Sequence, residues 1–324
     1  MKRTILIDGD IALYEVTMSC EYAFDWGNNI WTLHSDFKTA KEKFDCWVMS
    51  VQEKTEADKA IIALSSRQNW RKSVLPTYKQ NRKSKRKPLI FGELKKYVSE
   101  TYRTYMIDNL EADDVLGLLA GSPGLGNIKG EKVIVTIDKD LMTIPGYHYY
   151  PNKPEDGLIQ VSEEQADYNH LLQTLAGDAV DGYAGCPKIG PVRAARILKD
   201  PCWEAVVEAY ESAGLNEDDA LVQARVARIL RWGEYDINRE KLLNMHEQLC
   251  REAVTLMRAK NHDYSGGKDA SDPFLNFTRV ERLGITDTKT GFMVRMTDKI
   301  SRLITFIQNG SFKTKDEALK DTIL

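Results

Sequence analysis

Short apolar segments, two of which end at aspartates, alternate with amphipathic helical patterns over the first 140 residues, and this alternation restricts the fold more than any other feature. The apolar segments are Thr4–Ile7, Lys59–Leu64, Thr104–Ile107 and Lys132–Ile137; helical patterns cover about 36–55, 91–103 and 112–121. Strands that alternate with helices predict an α/β fold with a mostly parallel sheet. In such sheets the active site lies beyond the carboxyl ends of the strands.

The second half of the chain is predicted to be mainly helical. Helical patterns cover about 162–176, 190–199, 203–213, 217–231 and 238–260, and after a polar stretch at 261–272 they resume near 276–283, 291–309 and 314. We therefore predict three regions: an α/β domain at 1–165, a helical region at 166–240 and an all-helical appendage at 241–324.

Composition excludes several classes of protein. Apolar residues make up 42% of the chain, which excludes a disordered protein, and no apolar run approaches the length of a membrane span. The start lacks a long apolar stretch, so we expect no secretory signal. The cysteines are odd in number and widely spaced, which argues against a disulfide framework and a CxxC zinc site. A cytoplasmic location is expected.

Acidic residues recur in four groups at the predicted ends of elements: Asp8 with Asp10; Glu111, Asp113 and Asp114; Asp138 and Asp140; Asp178 and Asp181. Each group alone also fits a helix cap or a polar loop. Carboxylates that converge at one sheet edge repel one another unless cations join them. Their oxygens suit Mg²⁺ or Mn²⁺, and two such ions can support phosphodiester hydrolysis.

A basic window at Arg67–Arg103 contrasts with the rest of the chain. It contains twelve lysines and arginines but only two acids, so it carries about +10 within a chain of net charge −3. A local positive charge predicts a polyanionic partner, although a solvated helix face is the alternative. Arg71, Lys79 and Arg82 can contact phosphates, and Trp70 and Tyr78 could stack on bases.

A glycine-rich turn at 182–190 precedes Pro191, which suits the first position of a helix. Glycine amides at a helix N-terminus can bind phosphate without reading bases, and Lys188, Arg193 and Arg196 add positive charge. The alternative is a plain connection between two helices.

The motifs LIDGD, RKxxLPxYKxNR, EADDVLG, TIDKDL and GDxxDGYxGxPKIGPxxAARIL, in this order, resemble the 5′-nuclease superfamily over about residues 1–200. Its members include flap endonucleases, the 5′-nuclease domain of bacterial DNA polymerase I and phage 5′→3′ exonucleases, and the compact phage enzymes look most similar. The resemblance implies a PIN-like nuclease domain with a helix–three-turn–helix element that binds duplex DNA.

The resemblance also implies roles for individual residues. The metal-binding carboxylates would be Asp8, Glu111, Asp113, Asp114, Asp138, Asp140, Asp178 and Asp181. The catalytic gateway would be Arg71, Lys79 and Arg82, with Lys79 near the scissile phosphate. DNA contacts would come from Tyr78, Lys83, Lys85, Arg86, Gly185, Lys188, Gly190 and Arg193. The cofactor would be Mg²⁺ or Mn²⁺, as two ions, with K⁺ at the helix–three-turn–helix turn.

One position departs from the family pattern. An aspartate usually follows the second strand, whereas this chain has Ser65 and Ser66 there. A serine is a poorer ligand for a hard cation than a carboxylate, and Asp10 is an extra acid that could compensate.

These features lead to the hypothesis of a metal-dependent 5′→3′ exonuclease acting on the 5′ end of duplex DNA, with flap endonuclease activity as a further possibility. The alternatives are an RNA-primer-removing ribonuclease of the same fold and a non-catalytic DNA-binding relative. Residues 254–310 separately resemble a small helical phage domain associated with nucleotide modification, and a structural role is expected for it.

Overall fold

A computed structural model describes residues 2–82, 86–235, 251–252, 254–255 and 275–309 of the chain. Residues 1–235 form one compact unit and residues 236–324 form a second. Lys83 and Lys85, predicted to contact DNA, lie outside the described residues.

A six-stranded sheet forms the centre of the first unit. Its strands are β1 (Arg3–Asp8), β4 (Lys59–Ala63), β5 (Thr104–Tyr105), β6 (Glu131–Val135), β7 (Gly146–Tyr149) and β8 (Leu158–Val161), and their order is β5-β4-β1-β6-β7-β8. All neighbouring pairs are parallel except β7–β8. The predicted α/β fold with a mostly parallel sheet is thus confirmed.

Helices cover both faces of the sheet. Ile5 and Ile7 of β1 pack on one face with α1 (Gly9–Ser19), α2 (Phe37–Lys54) and α4 (Phe91–Thr101). Leu6 points to the other face, where α5 (Ala112–Gly121) packs. Because successive strand residues alternate between faces, a strand buried on both sides has consecutive apolar residues, as at Ile5, Leu6 and Ile7 of β1.

The helical part of the first unit contains α6 (Glu163–Ala176), α7 (Pro191–Ile197), α8 (Trp203–Ser212) and α9 (Glu217–Ala227), which share a separate core. Pro191 is at the start of α7, as predicted. The predicted helix at 217–231 ends early, at Ala227, because Arg228 adopts an extended backbone.

Several elements were not predicted. Helix α1 was missed because its sequence, GDIALYEVTMS, is largely apolar and has no clear polar face. The antiparallel hairpin of β2 (Glu21–Asp25) and β3 (Trp31–Ser35) was also missed, as were β7 and β8. A short helix, α3 (Arg71–Val74), and a 3₁₀ turn (Gln80–Arg82) lie within the basic window.

The described part of the second unit contains α10 (Leu275–Arg282) and α11 (Thr288–Asn309), near the predicted helices at 276–283 and 291–309. The predicted helix at 238–260 lies almost wholly, and the one near 314 wholly, outside the described residues. Across the described helices, none combines the length and the apolar character needed to cross a membrane. Cys20, Cys46, Cys186 and Cys202 are free thiols.

Candidate active site

Carboxylates from three parts of the chain line a small cleft beside the sheet. The cleft has a volume of about 20 Å³, room for about one water molecule or a bare ion. Its acidic lining consists of Glu111, Asp113, Asp138, Asp140 and Asp181. Asp8 belongs to the same group, since it raises the pKa of Asp113. At least one member of each predicted acidic group thus lies at or near this cleft, and metal binding by these acids stays a prediction.

Asp8 ends β1 and caps α1, with its Oδ1 accepting a hydrogen bond from the Ile11 amide at 3.3 Å. Thr136, which follows β6, donates its hydroxyl to Asp8 Oδ2 at 3.3 Å. Burial raises the pKa of Asp8 to about 7, and the nearby charges of Asp10 and Asp138 act in the same direction. Burial and repulsion thus disfavour the ionised carboxylate.

Asp113 and Asp140 have the same kind of environment. Burial raises the pKa of Asp113 well above its ordinary value, and Asp8 adds to the effect, although Lys79 opposes it. Burial raises the pKa of Asp140 to about 7, with contributions from Asp138 and Asp178. We call Asp8, Asp10, Asp113, Asp138 and Asp140 the acidic cluster.

Basic side chains barely neutralise this acidic cluster. Within the described residues, the only ion pair that any member forms is a distant one between Asp10 and Lys95, at 3.9 Å. No three metal-ligating groups among the described residues stand around a common point. Charged carboxylates repel one another, so a cation between them would favour a closer approach. Their hard oxygen donors fit a divalent cation.

A second set of acids is neutralised by the basic window. Glu111 Oε1 accepts from Lys79 Nζ at 2.7 Å, and Glu111 Oε2 accepts from the Tyr78 hydroxyl at 2.9 Å. Burial opposes ionisation of Glu111, but Lys79 and Arg71 outweigh it and lower the pKa. Asp181 pairs with Lys79 at 3.3 Å and with Arg82. Lys79 and Arg82 are therefore held at the edge of the cleft.

Arg71 and Asp114 form a buried anchor. Two guanidinium nitrogens of Arg71 donate to the two oxygens of Asp114, each at 2.7 Å. The other donors of Arg71 reach Glu111 and the carbonyls of Val226 and Arg228. Burial opposes the charge on Arg71, but Asp114 outweighs it and raises the pKa. All five N–H donors of Arg71 are thus used inside the protein, which leaves none for a DNA phosphate in this conformation.

Asp114 is also fully engaged. Besides Arg71 it accepts hydrogen bonds from the Trp70 indole at 3.2 Å, the Leu230 amide at 3.1 Å and the Glu111 amide at 3.4 Å. Its side chain has no exposed surface. The predicted metal-ligand role of Asp114 therefore does not fit this structure, in which both of its oxygens already have partners.

Tyr78 was predicted to contact DNA by stacking, and the structure does not leave its ring open. The side chain is buried, and its hydroxyl donates to Glu111 and, at 3.1 Å, to Asp181. Burial raises the pKa of Tyr78, and Glu111 acts in the same direction. Tyr78 thus positions two acids, a role that the sequence did not reveal.

Of the residues in and after the glycine-rich turn that were predicted to contact DNA, one is packed inside the protein and three are exposed. Gly185 has φ +65°, and a Cβ there would lie 2.3 Å from the Gly177 nitrogen; its own amide donates to Gln223 at 3.0 Å. Gly185 is therefore committed to internal packing rather than to DNA. Lys188, Gly190 and Arg193 are exposed. Asp178 accepts from the amides of Val180 and Asp181, which shapes the turn.

A different carboxylate, that of Asp10 in α1, lies against the segment that lacks the family aspartate. The Ser65 amide donates to Asp10 Oδ2 at 3.2 Å, so Asp10 reaches from α1 to the end of β4. Ser65 Oγ accepts from the Ala112 amide at 2.9 Å, at the start of α5. Lys95 donates to the Ser65 carbonyl at 3.1 Å. The Ser65 backbone and Asp10 thus occupy neighbouring positions at the sheet edge. Arg86, another predicted DNA contact, pairs with Glu21.

Comparison with known proteins gives consistent results. Residues 4–163 match the family model of the 5′-3′ exonuclease, N-terminal resolvase-like domain. The exonuclease of Escherichia phage T7 is 29% identical over 273 residues, which cover 72% of this chain and 90% of that protein. The flap endonuclease Xni of Shewanella halifaxensis is 32% identical over 145 residues, covering 40% of this chain and 55% of that protein.

A solved structure shares the fold. The phage T5 5′-exonuclease with bound divalent metal ions (zinc) superposes with a TM-score of 0.53 at 14% identity, covering 70% of this chain and 89% of that one. The matching fold, the family model and the convergent acids lead to the same assignment. Residues 4–163 of this chain therefore belong to the family of 5′-3′ exonuclease N-terminal, resolvase-like domains.

Proposed function

We propose that the chain is a divalent-metal-dependent 5′→3′ exodeoxyribonuclease that acts on the 5′ ends of duplex DNA and also cuts 5′ flaps. The observation that supports this most strongly is the acidic cluster, a set of carboxylates with almost no basic partner, beside two cations at the cleft edge. Hydrolysis of a phosphodiester needs this combination, because the acids hold metal and the cations offset phosphate charge.

The acidic cluster would hold Mg²⁺ or Mn²⁺, as two ions. When bound, such ions supply an activated water and stabilise the leaving oxygen. Asp10 would take the place of the family aspartate, because it lies against Ser65 and its charge reaches Asp8. K⁺ at the glycine-rich turn rests on the resemblance alone.

Glu111 and Asp181 would act mainly by holding Lys79 and Arg82 at the cleft. A lysine with two acidic partners stays protonated, and Lys79 has a raised pKa: burial opposes the charge, but Glu111 and Asp181 outweigh it. Lys79 and Arg82 would thereby present fixed positive charge to the scissile phosphate. Arg71 and Asp114 would fix the geometry without touching DNA.

Duplex binding would use exposed groups outside the cleft. Lys188 and Gly190, in the turn before α7, and Arg193, in the first turn of α7, are exposed. Such groups contact phosphates without reading bases, so we expect binding that depends on salt but not on sequence.

Digestion of 5′-labelled blunt duplex, 5′-flap DNA and an RNA–DNA hybrid, with Mg²⁺ or with chelator, tests the function. We expect release of short 5′ products from both DNA substrates only with Mg²⁺. Asp138→Asn should abolish release while DNA binding persists, whereas the control Asp156→Asn, at an exposed site, should cleave like the unaltered protein. Binding without release from any substrate would identify a non-catalytic DNA-binding protein, and cleavage of the hybrid alone would identify a ribonuclease.

The role of Lys79 has a separate test. Lys79→Ala should lower the cleavage rate about 100-fold, the usual effect of removing a group that offsets developing charge, while DNA affinity falls only a few-fold. Single-turnover cleavage and equilibrium binding measure the two quantities. Equal losses in both would make Lys79 a binding residue only.

A further inference from the structure

The β2–β3 hairpin exposes an aromatic row on one of its faces. The register pairs Tyr22 with His34 and Phe24 with Thr32, so these residues point to the same side. Trp26 joins them, since its indole donates to Thr32 Oγ1 at 2.8 Å and its ring lies 4.7 Å from that of Phe24. Tyr22, Phe24 and Trp26, the aromatic row, are 57%, 46% and 61% exposed.

The aromatic row is held in place rather than loosely arranged. Tyr22 stacks on His34 with ring centroids 5.7 Å apart, and His34 in turn bonds Thr32 Oγ1 at 2.6 Å. The loop from Trp26 to Ile30 is closed by hydrogen bonds of 2.9 and 3.0 Å. Three exposed aromatic rings on so short a hairpin form an apolar patch, and exposed apolar patches mark interaction sites.

The hairpin is joined to the basic window. Both guanidinium nitrogens of Arg86 donate to Glu21 at the start of β2, at 2.8 and 2.7 Å. The Leu89 amide donates to the same carboxylate at 2.6 Å. The hairpin that carries the aromatic row is therefore attached through Glu21, at the start of β2, to the basic window, which carries about +10 over Arg67–Arg103.

We propose that the aromatic row is a stacking platform for the unpaired bases of a single-stranded nucleic acid. Exposed aromatic rings on a hairpin that contacts the basic window match the two parts of such a strand, because bases stack on aromatic rings while phosphates bind lysine and arginine. The proposal rests on the proposed function, since it assigns the platform to the unpaired 5′ strand of a DNA substrate.

Two tryptophans of the hairpin provide a matched test. Trp26 lies in the aromatic row, whereas Trp31 pairs with Asp25 on the opposite face, and both are 61% exposed. Fluorescence anisotropy in chelator would measure the binding of labelled duplexes that are blunt or carry a 5′ tail of about twelve nucleotides. Trp26→Ala should weaken tailed-duplex binding about tenfold and blunt-duplex binding less than twofold. Trp31→Ala should change both less than twofold.

A tail of abasic nucleotides separates stacking from phosphate contact. It keeps the phosphates but removes the bases, so the difference between Trp26→Ala and the unaltered protein should disappear on this tail. Trp26→Leu, which keeps an apolar side chain, should bind the ordinary tailed duplex as weakly as Trp26→Ala. Circular dichroism of each variant would confirm that the fold is retained.

Several results would overturn the proposal. Equal effects of Trp26→Ala and Trp31→Ala, or equal effects on tailed and blunt duplexes, would deny the platform. The proposal would also be wrong if Trp26→Ala changed the sedimentation coefficient of the protein without DNA but left its affinity for tailed duplex unchanged. That result would assign this face to self-association. Binding is measured in chelator, where no cleavage is expected. The result of this test therefore does not depend on whether the protein proves to be a nuclease.

Discussion

At the scale of single residues, two adjacent aspartates in the first turn of α5 have opposite environments. Asp113 is a partly buried acid that repels Asp8 and forms no ion pair within the described residues. Asp114 is a buried acid with five hydrogen-bond donors around it, two of them from Arg71. The same residue type one position apart thus destabilises the metal-free fold in one case and stabilises it in the other.

Asparagine at each position should therefore shift stability in opposite directions. Asp114→Asn breaks a buried ion pair and should lower the free energy of unfolding by about 3–5 kcal/mol. Asp113→Asn removes a poorly compensated buried charge and should raise it by about 1 kcal/mol in the absence of metal. Urea unfolding in chelator at about pH 8 measures both. A loss of stability in both variants would contradict this reading of Asp113.

Asp10 and Ser65 form a second pair that mutagenesis can test. Asp10→Asn should weaken Mg²⁺ affinity about tenfold, because a charged ligand is lost. The double variant Asp10→Asn with Ser65→Asp should recover much of this affinity. Isothermal titration calorimetry with Mg²⁺ alone measures both values. If Ser65→Asp fails to restore affinity while the double variant stays folded, Asp10 does not replace the family aspartate.

The acids of the site could be predicted from sequence because they follow apolar strands or begin a helix. The sequence could not predict which of these acids pair with basic side chains and which have almost no basic partner. This difference depends on Arg71 turning inward to the carbonyls of Val226 and Arg228, about 155 residues later in the chain. Nothing in a basic segment distinguishes a buried arginine from one exposed to solvent.

At the scale of secondary-structure elements, the contact between α1 and β4 depends on a glycine. Gly9 begins α1, and a Cβ there would lie 2.4 Å from Ile62 Cγ2 and 2.6 Å from the Ala63 carbonyl oxygen. Any side chain must move the helix away from the sheet, and with it Asp8 and Asp10, which flank the glycine.

Gly9→Ala should therefore destabilise the fold by about 2 kcal/mol, within the range for overpacking. The control is Gly92→Ala near the start of α4, where a Cβ meets nothing within 4 Å. That variant should be neutral or stabilising by up to about 1 kcal/mol, because alanine reduces the entropy of the unfolded chain. Thermal unfolding measures the two shifts, and similar losses in both would refute the argument from close contact.

The elements that sequence predicts well are those with periodic burial. Helices α2 and α4 have one apolar face and were predicted to within a few residues. The β2–β3 hairpin was missed because its apolar residues face solvent on both sides, so they carry no alternation between core and surface. The buried apolar run that identified β1, β4 and β6 is therefore absent from this hairpin.

At the scale of the whole molecule, the acidic cluster couples stability to pH and to metal. Burial raises the pKa values of Asp8 and Asp140 to about 7, above their ordinary value of 3.8. Between about pH 4 and 7 the folded protein thus binds more protons than the unfolded chain, so the free energy of unfolding falls as pH rises. Above about pH 7 this penalty is complete.

Divalent metal should reverse this trend, because it binds the ionised carboxylates and displaces their protons. We expect saturating Mg²⁺ to raise the melting temperature more at about pH 8 than at about pH 6. Differential scanning calorimetry at both pH values measures the effect. An equal rise at the two values would show that the binding groups are already ionised at the lower pH.

The buried anchor of Arg71 and Asp114 also determines when, during synthesis of the chain, its hydrogen bonds can be completed. Asp8, Asp114 and Asp140 leave the ribosome early, yet Arg71 and Asp114 complete their hydrogen bonds only with Val226, Arg228 and Leu230. A nascent chain that has reached residue 200 holds every acid of the cluster without the groups that fix the anchor. The anchor can therefore be completed only after residues 226–230 have been added to the chain.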